Sequence, residues 1–113
     1  NISRAIDDMF KSEGNALPTP GLIVTQVCKF YNVDESVLRG TQKNKGTAEA
    51  RQTAMYLIRK LTNLSLPEIG KEFGRDHSTV LYAIRKVEVA LKNGDTTVQN
   101  NIRDITANIN SCL

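Results

Sequence analysis

The sequence predicts an all-α chain, a compact helical bundle that contains a helix-turn-helix and carries a basic loop immediately before it. Three observations lead there. Apolar residues recur at three- and four-residue spacing along almost the whole chain, with no strand-like alternation, internal repeat or low-complexity tract. Residue types that start and stop helices stand between those stretches. The segment from Ser65 to Val87 reads as two short helices joined by a glycine-centred turn, with a polar cluster opening the second.

Taken in order, Ser3 can cap a first helix carrying Ile6, Met9 and Phe10, which ends near Gly14. The stretch from Asn15 to Gly21 holds two prolines and breaks the pattern. Thr19-Pro20 then supplies an N-cap followed by proline at the first helical position, where its missing N–H costs little. The next helix sets Ile23, Val27 and either Phe30 or Tyr31 on one side, and Asp34 to Leu38 allows one further helical turn. Arg39 to Gly46 is a polar loop with Arg39, Lys43 and Lys45 and no apolar residue. Thr47 or Ala48 should open a helix whose Ala50, Ala54, Leu57 and Leu61 form a buried stripe. Ser65 with Glu68 makes a capping box, Pro67 falls in the first turn, and Gly74 ends this helix in a left-handed conformation. Asp76 caps the helix that follows, which runs to about Lys92 and stops at Asn93-Gly94. A last helix, capped by Thr96 or Asp95, lines up Val98, Ile102, Ile105 and Ile109.

At 113 residues the chain is one small domain with room for a single core. Its net charge of +3 is ordinary, but the distribution is uneven. Residues 39–92 hold eleven basic and five acidic side chains, whereas the segments on either side are net acidic. The positive charge is thus concentrated on the helix-turn-helix segment, as a phosphate-facing surface requires. Cys28 and Cys112 lie far apart and the chain has one histidine, so metal-ligand spacing is absent and no metal is expected. No signal peptide is recognisable, and no apolar run approaches the ~20 residues a bilayer span needs. The expectation is a reduced, cytoplasmic protein with free thiols and no membrane association. Asn1 in place of Met suggests a piece of a longer polypeptide. There is no G-x-x-x-x-G-K phosphate loop, carboxylate pair or nucleophile arrangement, so neither catalysis nor a cofactor is expected of it.

On the helix starting near His77, the apolar residues Val80, Ile84, Val87 and Leu91 occupy a narrow arc at ~100° per residue. The opposite arc is assigned Ser78, Leu81, Tyr82 and Arg85. An exposed Leu81 among polar residues suits a thymine methyl in a major groove. Asp76, His77, Ser78 and Thr79 offer donors and acceptors at the amino end, the part of a recognition helix that reaches base edges. Arg51 and Gln52 stand near a helix start, where a cation opposes the macrodipole, and suit a phosphate clamp better than a dipole role. The basic loop has the composition of an arm entering a minor groove.

Three blocks carry a family resemblance: Arg51-Gln-x-Ala-Met-Tyr-Leu57, then Leu61-Thr-x-x-Ser-Leu-Pro-Glu-Ile-Gly70, then Phe73-Gly-Arg-Asp-His-Ser-Thr-Val80. In order and spacing they resemble the carboxy-terminal DNA-binding domain of the DnaA family of bacterial replication initiators, over about residues 19–92. The resemblance implies a Trp-repressor-like helix-turn-helix spanning residues 15–113. Residues 1–14 would be a linker helix from a preceding ATPase module, where ATP would be bound and hydrolysed. It implies binding of duplex DNA at the DnaA boxes of a replication origin, with protein regulators of initiation as further partners. Asp76, His77, Ser78, Thr79 and Leu81 would read the major groove, with Leu66 and Pro67 at its edge. Arg51, Gln52, Arg59, Arg85 and Lys86 would hold phosphates, and Lys43 and Lys45 would belong to the minor-groove arm. Three departures stand out. Lys43 replaces a customary arginine, exchanging a planar fork for a point charge. The turn Phe73-Gly74-Arg75 is one glycine shorter than the common form. Glu49-Ala50 replaces a basic residue and proline, and Glu49 is expected to point away from the duplex.

Two other classes compete with this reading. A helix-turn-helix transcriptional regulator shares the docking mode but would usually dimerise on a two-fold site. A protein-interaction module would use Leu81, Tyr82 and Val89 as its docking face.

Overall fold

A computed structural model describes residues 18–40 and 45–113, with the side chain of Lys45 left out. The expected linker helix over residues 1–14, and Lys43 in the basic loop, lie outside the described residues. The described part contains the helices α1 (Pro20–Tyr31), α2 (Glu35–Leu38), α3 (Lys45–Leu61), α4 (Leu66–Phe73), α5 (His77–Lys92) and α6 (Thr96–Ser111), and no strand. The all-α expectation holds for the described residues.

Local capping accounts for most boundaries. The Thr19 hydroxyl accepts from the Leu22 amide at 3.1 Å, with Pro20 in the first turn of α1. At the other end Asn32 takes the left-handed conformation, φ 57°, and its N–H closes on the Cys28 carbonyl. Ser65 and Glu68 form the full capping box: the Ser65 amide donates to Glu68 Oε1 at 2.8 Å and the Glu68 amide to Ser65 Oγ at 3.3 Å. Of the two candidates for α6 it is Asp95 that caps, accepting from the Val98 amide at 3.1 Å. The start of α3 lies earlier than expected, at Lys45 rather than Thr47 or Ala48. The apolar stripe marks only where apolar residues begin, and neither Lys45 nor Gly46 is an apolar residue that a periodicity could register.

α3 is the central element, packed most extensively on α5 and α1 and touching every other helix. Its Ala50, Ala54 and Leu57 are fully or almost fully buried and Leu61 partly so, while Met55 and Ile58, buried as well, lie off the expected stripe. A helix enclosed on several sides buries more than one face, which also explains why Val24 in α1 is buried beside Ile23 and Val27. Of the pair Phe30 and Tyr31, it is Tyr31 that packs on the core while Phe30 lies at the surface. The Tyr31 hydroxyl meets Thr53 Oγ1 at 3.2 Å, joining the end of α1 to α3. Phe73, Val80, Ile84, Ile105 and Ile109 complete one continuous core. Truncating an enclosed aromatic such as Phe73 to alanine would cost about 3–5 kcal/mol.

α4 and α5 meet across a tight turn. Gly74 adopts φ 63°, and both its N–H and that of Arg75 point to the Gly70 carbonyl. The shortened glycine turn therefore closes with its hydrogen bonds made. The closure needs a bare Cα at Gly70, because a Cβ there would lie 2.3 Å from the Arg75 carbonyl oxygen. Alanine in a helix interior usually gains up to about 1 kcal/mol over glycine. Here backbone, not a flexible side chain, stands in the way, so Gly70→Ala is expected to lower stability by about 1–3 kcal/mol. Chemical denaturation checks this, and an unchanged or higher midpoint would show that the turn yields at no cost.

Candidate nucleic-acid interface

The amino end of α5 stands clear of the core: Asp76, His77, Ser78 and Thr79 are all exposed, and Val80 is the first buried residue after them. Asp76 Oδ1 accepts from the Thr79 amide at 2.9 Å, so it caps the helix that it opens. That backbone hydrogen bond is the main cause of a carboxyl pKa held below the ordinary aspartate value, with the attached side-chain bond second. The first-turn amides other than the capped one lack intrahelical partners beside these exposed polar side chains, an arrangement that favours an anion or a hydrogen-bonding edge in front of the helix.

Beside this tip sits a cluster of arginines. Arg75, next in sequence to the cap, donates from Nη1 to the Phe73 carbonyl at 2.8 Å and from Nη2 to the Gly40 carbonyl at 2.5 Å. Arg51 reaches the same Gly40 oxygen at 3.0 Å through Nη2 and the Leu38 oxygen at 2.8 Å through Nε. Arg39 pairs with Glu35 at 3.0 Å, donates to the Glu72 carbonyl, and lies 5.6 Å from the centre of the Phe73 ring. The root of the basic loop at Gly40 is therefore bonded to the turn that precedes α5.

This geometry corrects two expectations. Arg51 was expected as an open phosphate clamp, but its side chain is folded inward onto two carbonyls and the residue is 8% exposed. Because α3 begins at Lys45, Arg51 lies in the second turn, beyond the amino-terminal end whose dipole motivated that role. Burial first, and the like charge of Arg75 second, press its pKa below the usual arginine value, although a guanidinium stays protonated. Leu81 was expected on the exposed arc, but it is half-buried. It follows Val80 by only ~100° and so flanks the buried arc, not the solvent side. The exposed apolar residues of α5 are Tyr82, at 64%, and Val89.

The other expected contacts fall on accessible surface. Pro67, Arg59, Arg85 and Lys86 are exposed, while Leu66 and Gln52 are partly so. Arg59 Nη1 also donates to the Leu64 carbonyl at 2.9 Å, and Lys60 pairs with Glu88 at 3.4 Å. Glu49, expected to point away from the duplex, is exposed and lines a cleft of about 440 Å³ together with Gln52, Lys86 and Asp95. Sequence reading overlooked Arg39 and Arg75 as structural ties. Arg39 directly follows α2 and Arg75 stands two residues past the end of α4, where unpaired carbonyls attract donors, and that was the available signal.

Among the described residues no His, Cys, Asp or Glu cluster is suited to a metal ion, and no helix is long and apolar enough to cross a membrane. Cys28 is a buried free thiol whose pKa is raised, chiefly by burial and next by Glu35, while Cys112 is exposed.

A bundle in which a short capped helix, a glycine turn and a second helix with a polar, exposed start are tied to Gly40, at the head of a basic segment, defines the class of helix-turn-helix nucleic-acid-binding modules. Comparison with known proteins narrows the class: residues 20–87 match the family described as the bacterial dnaA protein helix-turn-helix, and the chain belongs to that family. It is 43% identical over 91 residues to the chromosomal replication initiator protein DnaA of Caldanaerobacter subterraneus subsp. tengcongensis, covering 80% of this chain and 20% of that one. It is 48% identical over 90 residues to the same-named protein of Limosilactobacillus reuteri, covering 79% and 20%. The chain spans about a fifth of the length of these relatives. Among solved structures it is similar to a DNA replication initiation factor, with TM-score 0.68 and 38% identity over 80% of this chain and 29% of that one. It is also similar to AMPPCP-bound DnaA from Aquifex aeolicus, with TM-score 0.61 and 40% identity over 80% and 28%.

Two predictions follow from the placement of Arg51 and Asp76. Arg51→Ala should cost about 1–3 kcal/mol in chemical denaturation, since it strips donors from carbonyls held away from water. Arg51→Lys, lacking the fork, should restore little of it. For Asp76 the folded pKa is depressed, so its cap contributes fully above the ordinary value of about 3.9 and is lost as pH falls through the lower folded value. Asp76→Ala should melt earlier than the parent at neutral pH. The gap should close in thermal melts taken progressively below about pH 4; a gap constant with pH would show that this carboxylate does not titrate with the cap.

Proposed function

We propose that this chain binds duplex DNA sequence-specifically at DnaA boxes of a replication origin, as the DNA-reading part of a chromosomal initiator. The amino end of α5 enters the major groove, where His77, Ser78 and Thr79 meet base edges and Asp76 presents the carboxylate oxygen not used by its cap. Leu66 and Pro67 lie at the groove edge, and the half-buried Leu81 offers its outer methyl groups to a base. Gln52, Arg59, Arg85 and Lys86 hold phosphates, while Lys43 and Lys45 extend toward the neighbouring minor groove. Arg51 serves the same surface indirectly, by holding the root of that loop.

One observation carries the reading. The protruding start of α5 and Gly40, where the basic loop begins, are tied together through Arg75, which supports assigning base reading and phosphate attraction to one end of the molecule. Family membership and the concentration of positive charge on residues 39–92 support it independently. The 113 residues contain no phosphate-binding loop motif, so we assign nucleotide binding to the part of the longer relatives that this chain does not span. The cytoplasm, where a bacterial chromosome lies, is the compartment that this function requires.

The test is a binding comparison at fixed salt between a DnaA-box duplex and a scrambled one. His77→Ala should cost about 1–3 kcal/mol on the box and little on the scrambled duplex. Lys86→Ala should weaken both alike and flatten the dependence of log affinity on log salt by roughly one. Equal weakening of both duplexes by His77→Ala would remove it from base reading. Salt-insensitive binding of a protein through Tyr82 and Val89 would assign the face to protein interaction instead.

A further inference from the structure

The turn between α4 and α5 is held by more than its own hydrogen bonds. Its backbone closes on Gly70, where Arg75 presses its carbonyl into the space that a Cβ would fill. Its arginine then reaches out of the motif. One terminal nitrogen of Arg75 donates to the last residue of α4, Phe73, and the other to Gly40, 35 residues earlier in the chain. The Gly40 oxygen is shared with Arg51 on α3, so a single carbonyl receives donors from the turn and from the central helix. Arg39, the residue before Gly40, grips the other side of α4 through Glu72 and lies against the Phe73 ring. Asp76, the cap and first polar residue of the exposed tip, follows Arg75 directly.

From this we infer that Arg75 is a positioning residue for base readout, a two-pronged brace between Phe73 and Gly40 that sets where the amino end of α5 stands. The inference rests on the reading of that tip as the DNA-contacting surface. Hydrogen bonds to base edges tolerate only a few tenths of an ångström around 2.9 Å, so a small rotation of the helix start removes several at once. A guanidinium can span two carbonyls because its donors lie in a fixed plane. An ammonium offers one point charge and reaches one of them at a time. The charge of Arg75 is engaged inward on backbone oxygens, which separates its role from that of a phosphate contact.

The test uses the whole chain with Arg75→Lys, Arg75→Ala, His77→Ala and the Arg75→Lys/His77→Ala double variant. Affinities for a DnaA-box duplex and a scrambled duplex are measured beside thermal melting. Arg75→Lys keeps the charge. It is expected to melt within a few degrees of the parent, to lose about ten-fold on the box, and to change less than about two-fold on the scrambled duplex. In that background His77→Ala should cost little more, because a displaced tip has no readout left to lose, so the two penalties fall well short of multiplying. Penalties that multiply, or box affinity fully retained by Arg75→Lys, would overturn the positioning role. So would Arg75→Ala weakening both duplexes alike with a flatter salt dependence, which is the signature of a direct phosphate contact. If Arg75→Ala fails to fold, the lysine variant decides the matter alone. A parent chain that does not discriminate between the duplexes overturns the box reading and this role together, whereas discrimination by the parent with independent penalties overturns this role alone.

Discussion

The carbonyl oxygen of Gly40 accepts from two guanidinium groups, Arg51 at 3.0 Å and Arg75 at 2.5 Å, and the arrangement of the functional end depends on that meeting point. The short helix α2 ends just before it, so its terminal carbonyls need donors that its own four residues cannot supply. Arg51 provides one to the Leu38 carbonyl and joins Arg75 at the Gly40 carbonyl beyond it, while Arg39 ties the same corner to the Glu72 carbonyl of α4. Charge-assisted bonds to carbonyls are stronger than neutral ones, but the donors repel one another. The Glu35 and Glu72 carboxylates both pair with Arg39, easing the burden on that side of the cluster. Where the basic loop departs, and how the helix-turn-helix is seated, are fixed by the same few bonds.

Much of the fold was legible because its signals are local. Thr19, Ser65 with Glu68, and Asp76 each act within three or four residues of their own position, and each forms the bond expected of it. Apolar spacing identified one buried side of each helix, since burial of a stripe requires only that something cover it. It did not identify Met55 or Val24, whose burial depends on how many neighbours surround α3 and α1. The number of neighbours is a property of the assembled bundle, and no window of sequence contains it.

The candidate site divides along the same line. An exposed start for α5 could be read from the absence of apolar residues before Val80. The inward turn of Arg51 could not, because its acceptors at Leu38 and Gly40 are brought within reach only by the packing of α2 on α3. An arginine in a basic segment is equally compatible with facing solvent phosphate or backbone oxygens, and the count of positive charges does not distinguish them. Leu81 stands ~60° from Ile84 around the helix, at the margin of the buried arc, where periodicity does not separate a half-buried residue from an exposed one. The turn closes with a single glycine at its centre, since Gly74 and the bare Cα of Gly70 together bring α5 against α4.

Asp76 shows how one side chain can serve two masters. Oδ1 is committed to the Thr79 amide, which leaves the second oxygen of this exposed residue outside the cap. An asparagine in its place would keep an oxygen for the cap and turn an amino group outward. In the binding mode proposed, the helix would begin as before while the group shown to the groove changed from acceptor to donor. A cytosine amine would then be exchanged for a purine nitrogen as the favoured neighbour. The alphabet that this helix can spell is thus separable, at one position, from the grammar that folds it.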